Sequence, residues 1–366
     1  MPRLLATAEL SKRRLQNQLI ARTPFDKAGD VVRWFGAMQA QDYVAALWGV
    51  GLRTRNADED AIERAIAERT IVRTWPMRGT LHFVAPNDIH WMLGLLTPRV
   101  VRSTSARYRQ LELDDAVFAL SERVVTRELE GGRQLSRPAL YKALEASRIA
   151  TTDSRGLHIV GHLAQKGVIC FGPRAGKQLT IVLLDEWIPN ATRMDRDAAI
   201  VELTRRYFTS HGPATILDFA WWSGLTLAEI RLGLEGAAAD LQNEAIQDRT
   251  YWFAAGPARR RAGGSTPAAY LLPAFDEYTV AYRDRSAVLS REHAKRVNAG
   301  GGIFNPIVVI DGQVLATWKR SIDSATVSIR VMPFDRLSAR QRDAIGRAAS
   351  RYGKFLALDA RVTWPA

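Results

Sequence analysis

The sequence predicts an α+β fold made of tandem winged-helix (helix-turn-helix) units, followed by a small C-terminal β-sheet or barrel with a terminal helix. Three observations predict it. A helix-then-hairpin order recurs three times along the chain; the C-terminal part changes to a two-residue apolar period broken by Gly turns; and 366 residues exceed what one ordinary core holds, which implies two or three domains. The composition, 47% hydrophobic and 24% charged, is that of a folded globular chain.

Residues 8–20 and 28–38 read as two helices separated at Pro24, with Leu10, Leu15, Leu19, Val31, Val32 and Phe35 on their apolar faces. A helix over 58–69 carries Ile62, Ala65 and Ile66 on one stripe, and the period then drops to two across 71–78 and 80–84 around Gly79, a hairpin. After a helical stretch over 99–130, Ser136 is placed to cap a helix with Pro138 in its first turn. Asp153 or Ser154 caps the next, which ends at Gly167 and leads into strands at 168–171 and 179–184, the second helix-then-hairpin unit. The third opens with a helix over 196–209, continues as two short helices at 216–222 and 227–234 with Thr226 as N-cap, and has strand-like segments at 251–254 and 269–275. Residues 306–332 read as a Gly-turn meander and 338–357 as a helix packed across it. The expected domains are 1–98, winged helix 1 with the candidate catalytic motif; 99–192, winged helix 2; 193–262, winged helix 3; and 263–366, the β-rich domain.

Charge narrows the partners. Lys and Arg number 51 against 38 Asp and Glu, a formal net charge of +13, and such a surplus favours polyanions through counterion release. Nucleic acid leads; an arginine-rich surface without a polyanionic partner is the alternative. Cys170 is the one cysteine, so no intramolecular disulfide forms. The charged N-terminus lacks an apolar signal core and no apolar run approaches the ~20 residues that span a bilayer, which points to a cytoplasmic, nucleoid-associated protein with no membrane contact.

Several apparent motifs fail on chemistry. Residues 172–178 fall one residue short of a phosphate loop, and Gln178 stands where Ser or Thr binds magnesium. His158 and His162 have helical i, i+4 spacing, but no third ligand accompanies them and no acidic general base lies between; core or surface histidines explain them better than a metal, and neither metal nor cofactor is expected.

Three features remain. In Met38-Gln39-Ala40-Gln41-Asp42-Tyr43, two carboxamides at i and i+2 share a face if the backbone is extended and so reach one cleft; glutamines solvating a helix end are the other reading. In Arg73-Thr74-Trp75-Pro76-Met77-Arg78-Gly79-Thr80-Leu81-His82-Phe83, Arg73, Trp75, Arg78 and His82 alternate along the hairpin, suited either to phosphates or to a solvated wing. Arg259, Arg260 and Arg261, between Gly-Pro and Gly-Gly, read as a basic loop able to enter a groove or cradle phosphates, a disordered basic tip being the other reading. Phe275-Asp276-Glu277-Tyr278 with Tyr282-Arg283-Asp284-Arg285 concentrates acids and arginines, which reads as a structural ion-pair network.

These pieces together resemble the winged-helix proteins of the YcaQ/AlkZ family. The resemblance spans nearly the full chain and rests on Gln39-Ala40-Gln41, on 73–83, on Leu272-Pro273-Ala274-Phe275-Asp276-Glu277-Tyr278 with 282–285, and on Gly302-Ile303-Phe304. It implies a bacterial DNA glycosylase acting on alkylated purines and interstrand crosslinks. The family's catalytic signature, a glutamine, an apolar residue, then glutamine or aspartate, falls on Gln39 and Gln41. By the same likeness, duplex DNA with alkylated bases is the partner, contacted through the hairpin and the arginine loop. No obligatory protein partner is expected, and the chain is expected to act as a monomer. Some relatives are known only as DNA-binding proteins, so a non-catalytic regulator or architectural protein is the alternative.

Overall fold

The computed structural model describes residues 7–246, 248–256 and 267–365. Arg259, Arg260 and Arg261 lie outside the described residues. The chain divides into two compact units: residues 1–62 with 201–366, and residues 63–200.

The first unit begins with α1 (Thr7–Asn17), α2 (Ala28–Phe35), β1 (Ala37–Gln39) and α3 (Tyr43–Gly51). The predicted helix over 28–38 stops early because Gly36, at φ 80°, closes α2 in a conformation costly for any residue with a Cβ, and the chain then extends. Helix α4 (Glu59–Ala67) contains the division at 62/63.

In the second unit β2 (Val72–Met77) and β3 (Thr80–Val84) form the expected hairpin, and Arg78 and Gly79 both have positive φ, 53° and 68°, as a two-residue type I′ turn requires. Next come α5 (Ile89–Gln110), α6 (Asp115–Leu129), β4 (Leu135–Ser136), α7 (Arg137–Ala146), α8 (Arg155–Gln165), β5 (Ile169–Ala175), β6 (Gln178–Leu183) and α9 (Leu184–Trp187). The strands of this unit run in the order β3-β2-β5-β6-β4. The two hairpins meet at Arg73 opposite Phe171.

The single helical stretch expected over 99–130 is two helices. Helix α5 starts ten residues earlier and runs through Pro98, because Trp91, Met92, Leu93, Leu95 and Leu96 are buried and their burial outweighs the lost backbone bond. Glu112, at φ 52°, ends it, and Asp114 caps α6 by accepting from the Val117 N–H at 2.8 Å. Ser136 caps α7 as predicted, whereas Ser154 precedes α8 in a left-handed conformation without a side-chain cap. The core gathers Leu140, Leu144, Ile159, Leu163 and Ile181.

His162 belongs to this core. Its ring stacks on Phe118 at 3.8 Å with Tyr108 edge-on at 5.6 Å. Burial, reinforced by Lys166, lowers its pKa from 6.5 to about 4. The folded state therefore keeps it neutral while the unfolded chain takes up a proton below pH 6.5. Its contribution is fully present above 6.5 and is lost between 6.5 and about 4, up to about 3 kcal/mol. Urea midpoints measured across this range should fall with pH, and in His162→Phe this part of the slope should disappear.

The chain returns to the first unit with α10 (Arg196–Ser210), which holds the second division, then α11 (Ile216–Ser223), α12 (Leu227–Gly236), β7 (Leu241–Ile246) and β8 (Arg249–Ala254). Capping boxes Thr215/Asp218 and Thr226/Glu229 open α11 and α12. The remaining elements are β9 (Ala269–Leu272), α13 (Glu277–Val280), α14 (Ala294–Val297), β10 (Ile307–Ile310), β11 (Gln313–Asp323), β12 (Thr326–Pro333), α15 (Ala339–Phe355) and β13 (Asp359–Thr363). They build a five-stranded sheet, β13-β12-β11-β10-β9, antiparallel except where β13 runs parallel to β12. Strands β7 and β13 were not expected: Gln242, Asn243 and Glu244 interrupt any apolar alternation in β7, and the alternation of β13 rests on Ala360 and Val362 alone, too short a run to read as a strand.

The order helix, helix, helix, hairpin thus occurs three times, as α2-α3-α4 with β2/β3, α6-α7-α8 with β5/β6, and α10-α11-α12 with β7/β8. The fold is α+β with tandem winged helices and a C-terminal sheet carrying a terminal helix, as predicted. Among the described residues no helix is long and apolar enough to cross a membrane.

Candidate active site

The segment Gln39-Ala40-Gln41 is a short link fixed at both ends. Gly36 terminates α2 on one side; on the other, Asp42 accepts from the Ala45 N–H at 3.1 Å and caps α3. Between them Ala40 is fully buried, Gln39 is partly exposed and Gln41 is exposed. Helix α3 cannot slide, because Trp48 packs on Tyr352 and Phe355 of α15 at 4.9 and 5.0 Å and donates its indole N–H to the Leu271 carbonyl at 2.7 Å.

Behind the link lies a buried polar network within the first unit. Phe275, at φ 59°, turns the chain after β9 so that Asp276 and Glu277 enter the interior, 5% and 2% exposed. Asp276 caps α13 by accepting from the Tyr278 N–H at 2.9 Å and forms a two-pronged pair with Arg53 at 2.8 and 2.9 Å. Arg53 also donates to the carbonyls of Gln18 and Gly49, both at 2.8 Å, so one guanidinium joins the ends of α1 and α3 to the Asp276 turn.

Glu277 faces the link itself. Its Oε1 accepts from the Gln39 backbone N–H at 2.8 Å, and its Oε2 accepts from the Trp222 indole at 3.0 Å. His211 Nε2 stands 3.4 Å from Oε2, too poorly aligned for a regular hydrogen bond. His211 is wholly buried, stacked on Tyr207 at 4.7 Å, and its pKa is lowered by burial despite the favourable pull of Glu277. Further back, Tyr282 receives the Gln18 amide at 2.8 Å and donates to the His211 carbonyl at 2.6 Å, while Arg14 lies 3.7 Å over its ring.

The expected ion-pair network is present in part: Asp276 pairs with Arg53, and Asp284 with Arg249. Arg285 instead donates to the Thr279 carbonyl and lies over Phe304 at 4.8 Å. Sequence reasoning missed Arg53, His211 and Trp222 and assigned Glu277 no contact with Gln39. These residues lie 14 to 238 positions from Gln39 with no spacing pattern to connect them; a charge directly after an apolar run, as at Arg53, is the one available signal.

The second unit holds the hairpin candidates. Strand β2 is buried along all six residues, so the polar face expected from its alternation is covered. Arg73 is buried 4.8 Å over the Phe171 ring, Trp75 packs on the same ring at 5.2 Å, and His82 is fully buried with its Nδ1 3.0 Å from the Thr80 carbonyl. Arg78, in the turn, is partly exposed, with its guanidinium 3.4 Å from His82 Nε2.

Comparison with known proteins agrees with this architecture. A family model described as DNA glycosylase AlkZ-like matches residues 32–355, nearly the whole chain. The chain belongs to the AlkZ-like DNA glycosylase family. The chain is 27% identical over 326 residues to the interstrand DNA cross-link repair glycosylase of Streptomyces sahachiroi, an alignment that covers 84% of this chain and 85% of that protein. The solved structure of the Streptomyces sahachiroi DNA glycosylase AlkZ superposes with a TM-score of 0.79 at 24% identity, covering 99% of this chain and 100% of that one, and supports the fold. As an AlkZ-like glycosylase the protein is an enzyme that acts on DNA at N-glycosyl bonds.

Proposed function

We propose that this glycosylase hydrolyses the N-glycosidic bond of cationic alkylated purines in duplex DNA, N7 and N3 adducts and interstrand crosslinks included, and that Gln39 and Gln41 are its catalytic residues. The observation that supports this best is that Gln39, partly exposed, and Gln41, exposed, stand on either side of the buried Ala40 on a link capped at each end.

An N7- or N3-alkylated purine already carries positive charge, so its bond to the sugar breaks toward an oxocarbenium ion without a strong acid. Two amide oxygens can orient a water against the anomeric carbon and set partial negative charge near the developing cation. An amide is a poor general base, which restricts the reaction to leaving groups that are already activated. Undamaged nucleotides are accordingly not substrates. The crosslink part of the reading draws on the similarity to a crosslink repair glycosylase.

The +13 charge suits a duplex. Arg78 at its turn is the proposed phosphate contact of the β2/β3 hairpin, with Arg73, Trp75 and His82 forming its base, and the basic run Arg259, Arg260 and Arg261 is a second proposed contact. The enzyme acts as a monomer at the nucleoid, without metal or cofactor. Arg78→Ala should weaken binding to any duplex and lower the slope of log K against log salt by about 1. An unchanged slope assigns the contact elsewhere.

The test of the reaction is release of N7-methylguanine from a duplex by the purified protein, beside the same duplex unmodified. Base release from the methylated duplex alone is the expected result. Equal release from both, or none from the methylated one, contradicts the substrate class.

A further inference from the structure

We propose that Glu277 is a positioning residue for the reaction, holding Gln39 through its main chain and thereby aiming its carboxamide. The inference rests on the catalytic reading of Gln39 and Gln41.

A carboxylate that is 2% exposed has lost its water and is kept only where well-placed donors replace it. Glu277 has such donors on both oxygens: the Gln39 N–H on Oε1 and the Trp222 indole N–H on Oε2. Two converging donors need a side chain that only accepts, and an amide there would turn its NH2 group toward one of them. The pair of donors thus selects glutamate over glutamine, and the bond to Gln39 is of the stronger, charge-assisted kind. With both oxygens engaged inside the protein, Glu277 acts through Gln39 and does not itself meet the sugar.

Its support is rigid. Trp222 is fully buried in α11, and His211, near Oε2, is clamped between Phe35 edge-on at 5.2 Å and the Tyr207 ring, with Nδ1 2.8 Å from Ser210 Oγ. On the same turn Asp276 is tied to Arg53, which is anchored to α3. The stretch 276–277 thus grips the link through the Gln39 N–H and the helix after it through Arg53. A carboxamide whose backbone moves by about 1 Å loses on the order of 100-fold in rate, because proximity is what it supplies.

The test is single-turnover release of N7-methylguanine from a 25-base-pair duplex by the full chain, with the dissociation constant for the same duplex measured in parallel. Glu277→Gln should slow release roughly 10- to 100-fold with duplex affinity unchanged. In a Gln39→Ala background the same substitution should have no further effect, because the group it positions is gone. Wild-type rate in E277Q beside a slow Q39A overturns the positioning role, as do effects that simply multiply. Wild-type rate in Q39A instead removes the catalytic reading on which the inference rests. Amide exchange at Gln39 needs neither substrate nor a stable variant: the wild-type amide should exchange slowly, and exchange at the rate of an open chain overturns the proposal.

Discussion

Gln39→Ala/Gln41→Ala is expected to lower the single-turnover rate of N7-methylguanine release by roughly 100- to 1000-fold, or about 3–4 kcal/mol of activation free energy. The figure follows from two preorganised dipoles and the placement of one water, each lost without a replacement. Duplex affinity should stay near that of the wild type, because the glutamines add no charge and the counterion release that drives binding is untouched. The fold should also hold: Gln41 is exposed, Gln39 is partly so, and the caps at Gly36 and Asp42 remain. Each single variant should cost nearly as much as the pair, as residues that act as a unit do. A double variant that releases base at the wild-type rate would place the chemistry elsewhere.

The largest effect on stability should come from Arg53→Met. The side chains of Arg53 and Asp276 are 0% and 2% exposed, so removing the guanidinium leaves a carboxylate without its counter-charge in the interior, a loss of about 3–5 kcal/mol. The carbonyls of Gln18 and Gly49 lose their donor as well. In a unit of this size the melting midpoint should fall by roughly 10 °C. Adding Asp276→Asn should recover part of the loss, since the amide oxygen can still accept from the Tyr278 N–H and no charge is stranded. A double variant as unstable as Arg53→Met would mean that the lost hydrogen bonds, not the stranded charge, set the cost.

Local hydrogen-bonding patterns were the most legible part of the chain. Ser136 and Thr226 cap helices through contacts three residues away, and Arg78-Gly79 makes the turn that two positive φ values demand. Where burial outweighed local preference the reading went astray: α5 continues through Pro98, and β2 is covered on both faces although its residues alternate. Strands β7 and β13 escaped notice for a related reason. Pairing with a neighbouring strand makes them strands, since β7 has no apolar period of its own and that of β13 is only two residues deep.

From the sequence alone came the winged-helix order, the candidate pair Gln39 and Gln41, and the positive charge that suits DNA, because each is written in residue types and short spacings. Only the tertiary structure decided that residues 1–62 pack with 201–366, and that Glu277, 238 positions away, accepts the Gln39 N–H. The physical reason is that a buried carboxylate takes whichever donors the folded core brings to it. Those donors come from segments joined by apolar burial, which leaves no fixed interval in the chain to read.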